Sequence, residues 1–281
     1  MSINLYHNAS EKMSALLTNM YSTSFSLGIK AFAPELRGPI YAVYGYVRLA
    51  DEIVDTFHGH DKEVLLKEFR EETVRAINTG LSTNPVINAY QKVVNQYNIE
   101  WHLTDAFLSS MERDLTEASY ARSAYDEYIY GSAEVVGLMC LYVFVNGDKE
   151  KYKELEHSAK MLGSAFQKVN FLRDIKSDID ERGRIYLPNV HSNEGITNES
   201  KKLLENEVQK EFDQAYEGIK RLPIAAKLGV YSAFLYYLFL FKKIKSTDVR
   251  TLLKKRVRIS NIKKVLLLIK SVIEVKLLKV T

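Results

Sequence analysis

An all-α fold in a single domain is what this sequence predicts, on three observations. Nearly every long segment repeats its apolar residues with helical rather than alternating period. Only five prolines and thirteen glycines punctuate 281 residues. No internal repeat, low-complexity linker or domain-sized change of composition divides the chain. At 46% hydrophobic, it can bury a sizeable core, which excludes wholesale disorder.

About ten helices are expected, at 9–21, 36–57, 62–79, 84–97, 101–118, 124–146, 149–181, 200–220, 224–243 and 247–279. Pro34 precedes the second, and Asn84-Pro85 opens the fourth with proline in the first turn, where its missing N–H costs nothing. Gly183 stops the helix that begins near 149, and Pro188 prevents its resumption. The following polar stretch, 182–199, is the longest loop and a candidate lid. The most apolar run, LGVYSAFLYYLFLF at 228–241, has fourteen residues and is bounded by Lys227 and Lys242. A bilayer needs about 20, so a buried helix is expected there. The last helix is expected to break near Ser260.

Charge is unevenly placed. From Lys242 to Thr281 there are thirteen Lys/Arg and two acids, a net +11 that leaves −7 on the rest of a chain whose total is +4. The pattern NIKKVLLLIKSVIEVKLL is amphipathic without interleaved aromatics. It suits a membrane surface better than base stacking, so no nucleic-acid partner is expected. A solvated helix face is the plainer alternative. The single Cys140 excludes an internal disulfide and agrees with a reducing cytosol. The N-terminus lacks a signal-peptide pattern. A cytoplasmic protein, peripheral at the inner face of the membrane, is the expectation.

Two polar stripes carry the chemistry. In IYAVYGYVRLADEIVD, Tyr44, Arg48, Asp51 and Asp55 fall at i, i+4, i+7 and i+11; in GSAFQKVNFLRDIKSDID, Gln167, Asn170, Asp174 and Asp178 fall at i, i+3, i+7 and i+11. Each set shares one helix face. Carboxylates four apart lie about 6 Å from each other along the axis and repel unless a cation sits between them. One such pair is usually a solvated surface. Two pairs, each beside an Arg and inside apolar stretches, fit two faces turned toward each other around hard divalent cations. Mg2+ fits best, with Mn2+ as a substitute, since Mg2+ commonly bridges carboxylates to substrate phosphates. Arg48 and Arg173 would supply charge for those phosphates. No Gly-rich phosphate loop or GxGxxG supports a nucleotide, and six scattered histidines without HExxH make zinc unexpected.

With these residues in view, the chain resembles the squalene/phytoene synthase family, the head-to-head isoprenyl diphosphate synthases. The resemblance is carried by YSTSF (21–25), YGYVRLADEIVD (44–55), YIYGSAEVVG (128–137) and QKVNFLRDIKSDIDERGRIYLP (167–188). In phrasing it is most like the bacterial phytoene synthases. It implies a single isoprenoid synthase domain over 1–281, a helical bundle with a central cavity. It also implies that Asp51, Asp55, Asn170, Asp174 and Asp178 hold metal. Ser22, Ser24, Tyr44, Arg48, Gln167 and Arg173 would line the diphosphate site, with Tyr128 near the reacting carbons. Looser matches put Tyr237 and Arg256 at the second diphosphate, with Lys255 or Arg258 as substitutes for Arg256. Glu134 stands where a small residue is common in the family.

The implied reaction condenses two prenyl diphosphates, expected to be geranylgeranyl diphosphate, through a cyclopropyl diphosphate to 15-cis-phytoene, the first step of carotenoid biosynthesis. No NADPH is expected, and downstream carotenoid enzymes are expected partners. Squalene or dehydrosqualene synthesis from farnesyl diphosphate is the alternative. A head-to-tail elongase or cyclase usually shows DDxxD, whereas Asp51 is followed by Glu52-Ile53-Val54-Asp55. A non-catalytic lipid-binding or assembly protein would be free to lose a carboxylate; both pairs are intact.

Overall fold

The computed structural model describes residues 2–116, 122–182, 186 and 196–276, and every regular element among them is helical. Helix α1 (Ile3–Tyr21) begins earlier than predicted and buries Ser10, Ser14 and Thr18 on one edge. These small side chains permit close packing on α3 (Pro34–Asp55), where a methyl added at Gly45 would lie 3.0 Å from Ser14 Cβ. Between them, α2 (Thr23–Lys30) was not predicted. Eight residues show too little period to be read, and the helix exists because Ser22 caps it, accepting from the Phe25 N–H at 3.2 Å.

The next helices follow the sequence closely. Asp61 caps α4 (Lys62–Thr79), which closes on Gly80 in the left-handed region, φ 75°. Asn84 caps α5 (Pro85–Tyr97), with Pro85 at the first position, and α6 (Trp101–Thr116) follows. The single helix expected over 124–146 is instead α7 (Arg122–Ile129), a π-helical turn at Tyr130–Glu134, and α8 (Val135–Phe144). The wide turn sits where the chain is pressed onto α6: a methyl on Gly131 would lie 2.7 Å from the Ala106 carbonyl oxygen.

Helix α9 (Lys149–Arg182) runs 34 residues. Gly183, Pro188 and most of the candidate lid lie outside the described residues. A Thr197–Ser200 capping box opens α10 (Asn198–Arg221). Helix α11 (Ile224–Lys245) is 22 residues, longer than its fourteen-residue apolar run, and is long and apolar enough to cross a membrane by length and composition. Half of that stretch is buried inside the fold, with Phe234, Leu240, Phe241 and Ile244 in the core. The expected terminal helix is two: α12 (Val249–Leu252) and, after an irregular segment at 253–260, α13 (Asn261–Lys276).

Packing divides the helices into two walls. Helix α3 lies with α1, α4, α5 and α6 on one side; α9 lies with α10 and α11 on the other. Helix α8 and the π-turn bridge them, meeting α3 or α6 on one flank and α9 on the other. A hydrophobic core runs through both walls, from Ile40, Val43 and Tyr46 to Val169, Phe212 and Phe241. Between the walls is an elongated cavity of about 850 Å³.

Candidate active site

Both polar stripes face the same space. Asp51 and Asp55 from α3 and Gln167, Asn170, Arg173, Asp174 and Asp178 from α9 line one small polar cavity of about 180 Å³. Asp51, Gln167, Asn170 and Arg173 also line the large cavity, so one opens on the other. Phe25, Phe144, Leu155, Leu162, Phe166 and Ile219 make the large cavity predominantly apolar. Ser22, Ser24, Tyr44, Arg48, Tyr128, Tyr237 and Arg256 line it as well, so the residues expected at the metal, the diphosphates and the reacting carbons all converge here, whereas Glu134 and Lys255 do not line either cavity. Of the substitutes considered for Arg256, Arg258 also lines the cavity.

Each basic group is held by a specific partner. Arg48 pairs with Glu52, lies 3.9 Å from Asp51 and packs against the face of Tyr21. Its buried Nε has no hydrogen-bond partner among the described residues and remains a donor to be matched. Asp174 is gripped twice: Arg173 donates to both of its oxygens at 2.9 and 2.5 Å, and Arg256 approaches them at 2.6 and 3.2 Å. Burial alone would lower the pKa of Arg173, but the bonded Asp174 reverses this and raises it. Tyr237 donates to Asn170 Oδ1 at 3.2 Å and stacks on Phe166, while Tyr44 stacks on Phe25. Burial pushes the Tyr44 phenol up to about 12, opposed by its bond to Ser22, so it remains a neutral donor.

Two features, Asp114 and Glu52, were missed in the sequence. Asp114 on α6 lines the small cavity and accepts from Tyr128 at 2.8 Å and from Tyr186 at 3.1 Å. Tyr128, Tyr186 and Phe171 form a stacked cluster beside it. An acid two residues after Glu112 in SSMERDLT offers no helical-period signal; only the fold brings it opposite α9. Glu52, buried beside Arg48 and bonded by Thr56 at 2.6 Å, was legible only as part of the DE pair. Glu134 sits on the π-turn among other charged groups. Burial, then the charge of Glu211, pushes its carboxyl up to about 7. Its neighbours Ser132 and Ala133 line the cavity.

The donor set suits a hard divalent cation: five aspartates, an asparagine and a glutamine offer oxygen ligands on this surface. Among the described residues, no three acidic, His or Cys groups stand close enough to enclose an ion by themselves. A cation here would therefore be completed by water and substrate oxygens, as is usual for Mg2+.

The sequence of this site has relatives. A profile of the family described as squalene/phytoene synthase matches residues 18–263. The chain belongs to that family. Phytoene synthase 1, chloroplastic, of Solanum lycopersicum is 26% identical over 268 residues, covering 88% of this chain and 64% of the relative. Phytoene synthase 2, chloroplastic, of the same plant is 27% identical, covering 88% and 85%. The chain spans 61–64% of the length of the first four plant relatives. Among solved structures, a dehydrosqualene synthase in complex with ligand superimposes with a TM-score of 0.78 at 21% identity, covering 94% of this chain and 96% of that one. A squalene synthase from Alicyclobacillus acidocaldarius gives 0.75 at 21% identity, covering 92% and 98%. The helical bundle with a central cavity is thus the isoprenoid synthase fold of these proteins. Family members use a divalent metal to bind prenyl diphosphates.

Proposed function

We propose that this protein condenses two molecules of geranylgeranyl diphosphate head to head, through a cyclopropyl diphosphate, to 15-cis-phytoene. The observation that carries the reading is the convergence of Asp51, Asp55, Asp174 and Asp178 on one polar cavity that opens into an apolar one of about 850 Å³. That volume is near the top of the usual 300–1,000 Å³ range for ligand sites, as two long chains require. The curated relatives named phytoene synthase favour the twenty-carbon substrate.

In this reading Asp51, Asp55, Asn170, Asp174 and Asp178 would hold Mg2+, or Mn2+ in its place, which when bound would supply positive charge to the departing diphosphate. Arg48, with Ser22, Ser24, Tyr44 and Gln167, holds one diphosphate. Arg173, Arg256 and Tyr237 hold the other, once the two arginines exchange Asp174 for phosphate oxygens. Loss of diphosphate from the first substrate leaves an allylic cation. The double bond of the second attacks it, and proton loss closes the cyclopropane. A second ionisation, rearrangement and proton loss give the conjugated triene. The aromatic walls keep water away and present negative π faces to the cations. Tyr128 lines both cavities, which supports the reading that it stands near the reacting carbons.

The deciding experiment incubates purified protein and Mg2+ with farnesyl or geranylgeranyl diphosphate, with and without NADPH, and identifies the hydrocarbon. Phytoene from the twenty-carbon substrate without reductant is expected. Preferential use of farnesyl diphosphate, or squalene formed only with NADPH, would overturn the assignment.

Asp114 acts on this chemistry by orienting Tyr128. Asp114→Asn is expected to lower turnover by about 10–100-fold, the usual effect of removing an orienting partner. In a Tyr128→Phe background it should cost little more, because both changes remove one interaction. Independent, multiplying losses in the double variant would show that Asp114 does not work through Tyr128.

A further inference from the structure

Helix α13 has two working faces. Its inner side, with Lys264, Leu267 and Leu268, lines the large cavity. On its outer side Ile262, Val265, Leu266, Ile269 and Ile273 are 44–76% exposed. At i, i+3, i+4, i+7 and i+11 they form one continuous row along the helix. Isolated exposed apolar residues are ordinary; a continuous row marks a surface that something covers.

Charge identifies what covers it. Exposed Lys270 and Lys276 flank the row, and exposed Lys254, Lys255 and Arg258 stand in the segment before it. The one acid on α13, Glu274, accepts from Tyr231 at 2.9 Å and lies 3.7 Å from Lys270. It offsets part of one lysine's charge and leaves Lys276 and the preceding basic segment unopposed by any acid of α13. The segment from Lys242 onward is +11, so a second copy docking by this same face would bring like charge against like. An anionic lipid surface satisfies both the apolar row and the lysines beside it. Over its sixteen described residues α13 is too short to span a bilayer.

We propose that the outer face of α13 docks on an anionic bilayer, lying in the interface with the cavity directly behind it. This rests on the surface of α13 and not on the proposed reaction, so either can fail alone. The test is co-sedimentation of the intact protein with vesicles of phosphatidylcholine, alone or mixed with phosphatidylglycerol, at low and high salt. Binding to the anionic vesicles at low salt, weakened by high salt, is expected. Lys270→Gln with Lys276→Gln should weaken it by up to about 25-fold, at roughly fivefold per charge. Ile262→Asp with Ile269→Asp should abolish it while leaving the melting temperature unchanged, since both side chains are exposed. Equal binding to both vesicles, no binding, or binding indifferent to these variants would overturn the proposal. So would a dimer in sedimentation velocity that the aspartate pair dissolves, because a second copy would then occupy the face.

Discussion

Asp51→Asn and Asp174→Asn are each expected to reduce turnover by about 10²–10³-fold or more, the scale of losing one preorganised electrostatic contact to a leaving group. The two aspartates come from α3 and α9, and each lines the polar cavity. Substitution by Asn keeps the shape and removes the charge that would hold a cation. The folds should survive for different reasons. Asp51 lies 3.9 Å from Arg48, whose closer partner is Glu52, so its loss leaves Arg48 paired. Asp174 is shared by Arg173 and Arg256, and Asn retains a carbonyl oxygen that can accept from one of them. Steady-state kinetics, circular dichroism and a chelator control together decide the matter. Near-wild-type rates in either variant, or in excess chelator, would remove the metal-cradle reading.

Gly163→Val is expected to destabilise the protein by about 3 kcal/mol, at the upper end of the range for overpacking. A first methyl at Gly163 already lies 2.7 Å from the Ala133 carbonyl oxygen and 3.1 Å from Glu134 Cα. Those are backbone atoms of the π-turn, which cannot rotate aside as a side chain would. The melting temperature should fall by roughly 6–12 °C. Because Ala133 and Gly163 both line the cavity, the separation of α9 from the π-turn is part of the cavity's shape. Gly28→Ala is the control: nothing lies within 4 Å of its added methyl, so the better helix propensity of Ala should leave stability equal or higher. A Val at 163 that melts with the wild type would mean that the two elements separate freely.

The sequence by itself determined the helices and the chemistry they carry. Pro34, Asn84-Pro85 and Asp61 set helix starts by local backbone geometry and capping, which needs no distant partner. The Asp51/Asp55 and Asp174/Asp178 spacings placed each pair on one face because helical period is a local property. Where a feature was too short or aperiodic, the local signal failed. The eight residues of α2 and the π-turn at Tyr130–Glu134 are examples, the latter made where Gly131 meets the α6 backbone. The two carboxylate spacings led to the expectation that the stripes face each other; what tertiary structure added is the small polar cavity they line and its opening into the large apolar one. Tertiary structure also set Asp114 beneath Tyr128, 14 positions away in the chain. Burial was likewise its decision: α11 is apolar enough for a membrane yet half buried inside the fold, while α13 turns its apolar row outward. Hydrophobic period states which side chains seek cover; only the packing of the other helices determines which of them find it.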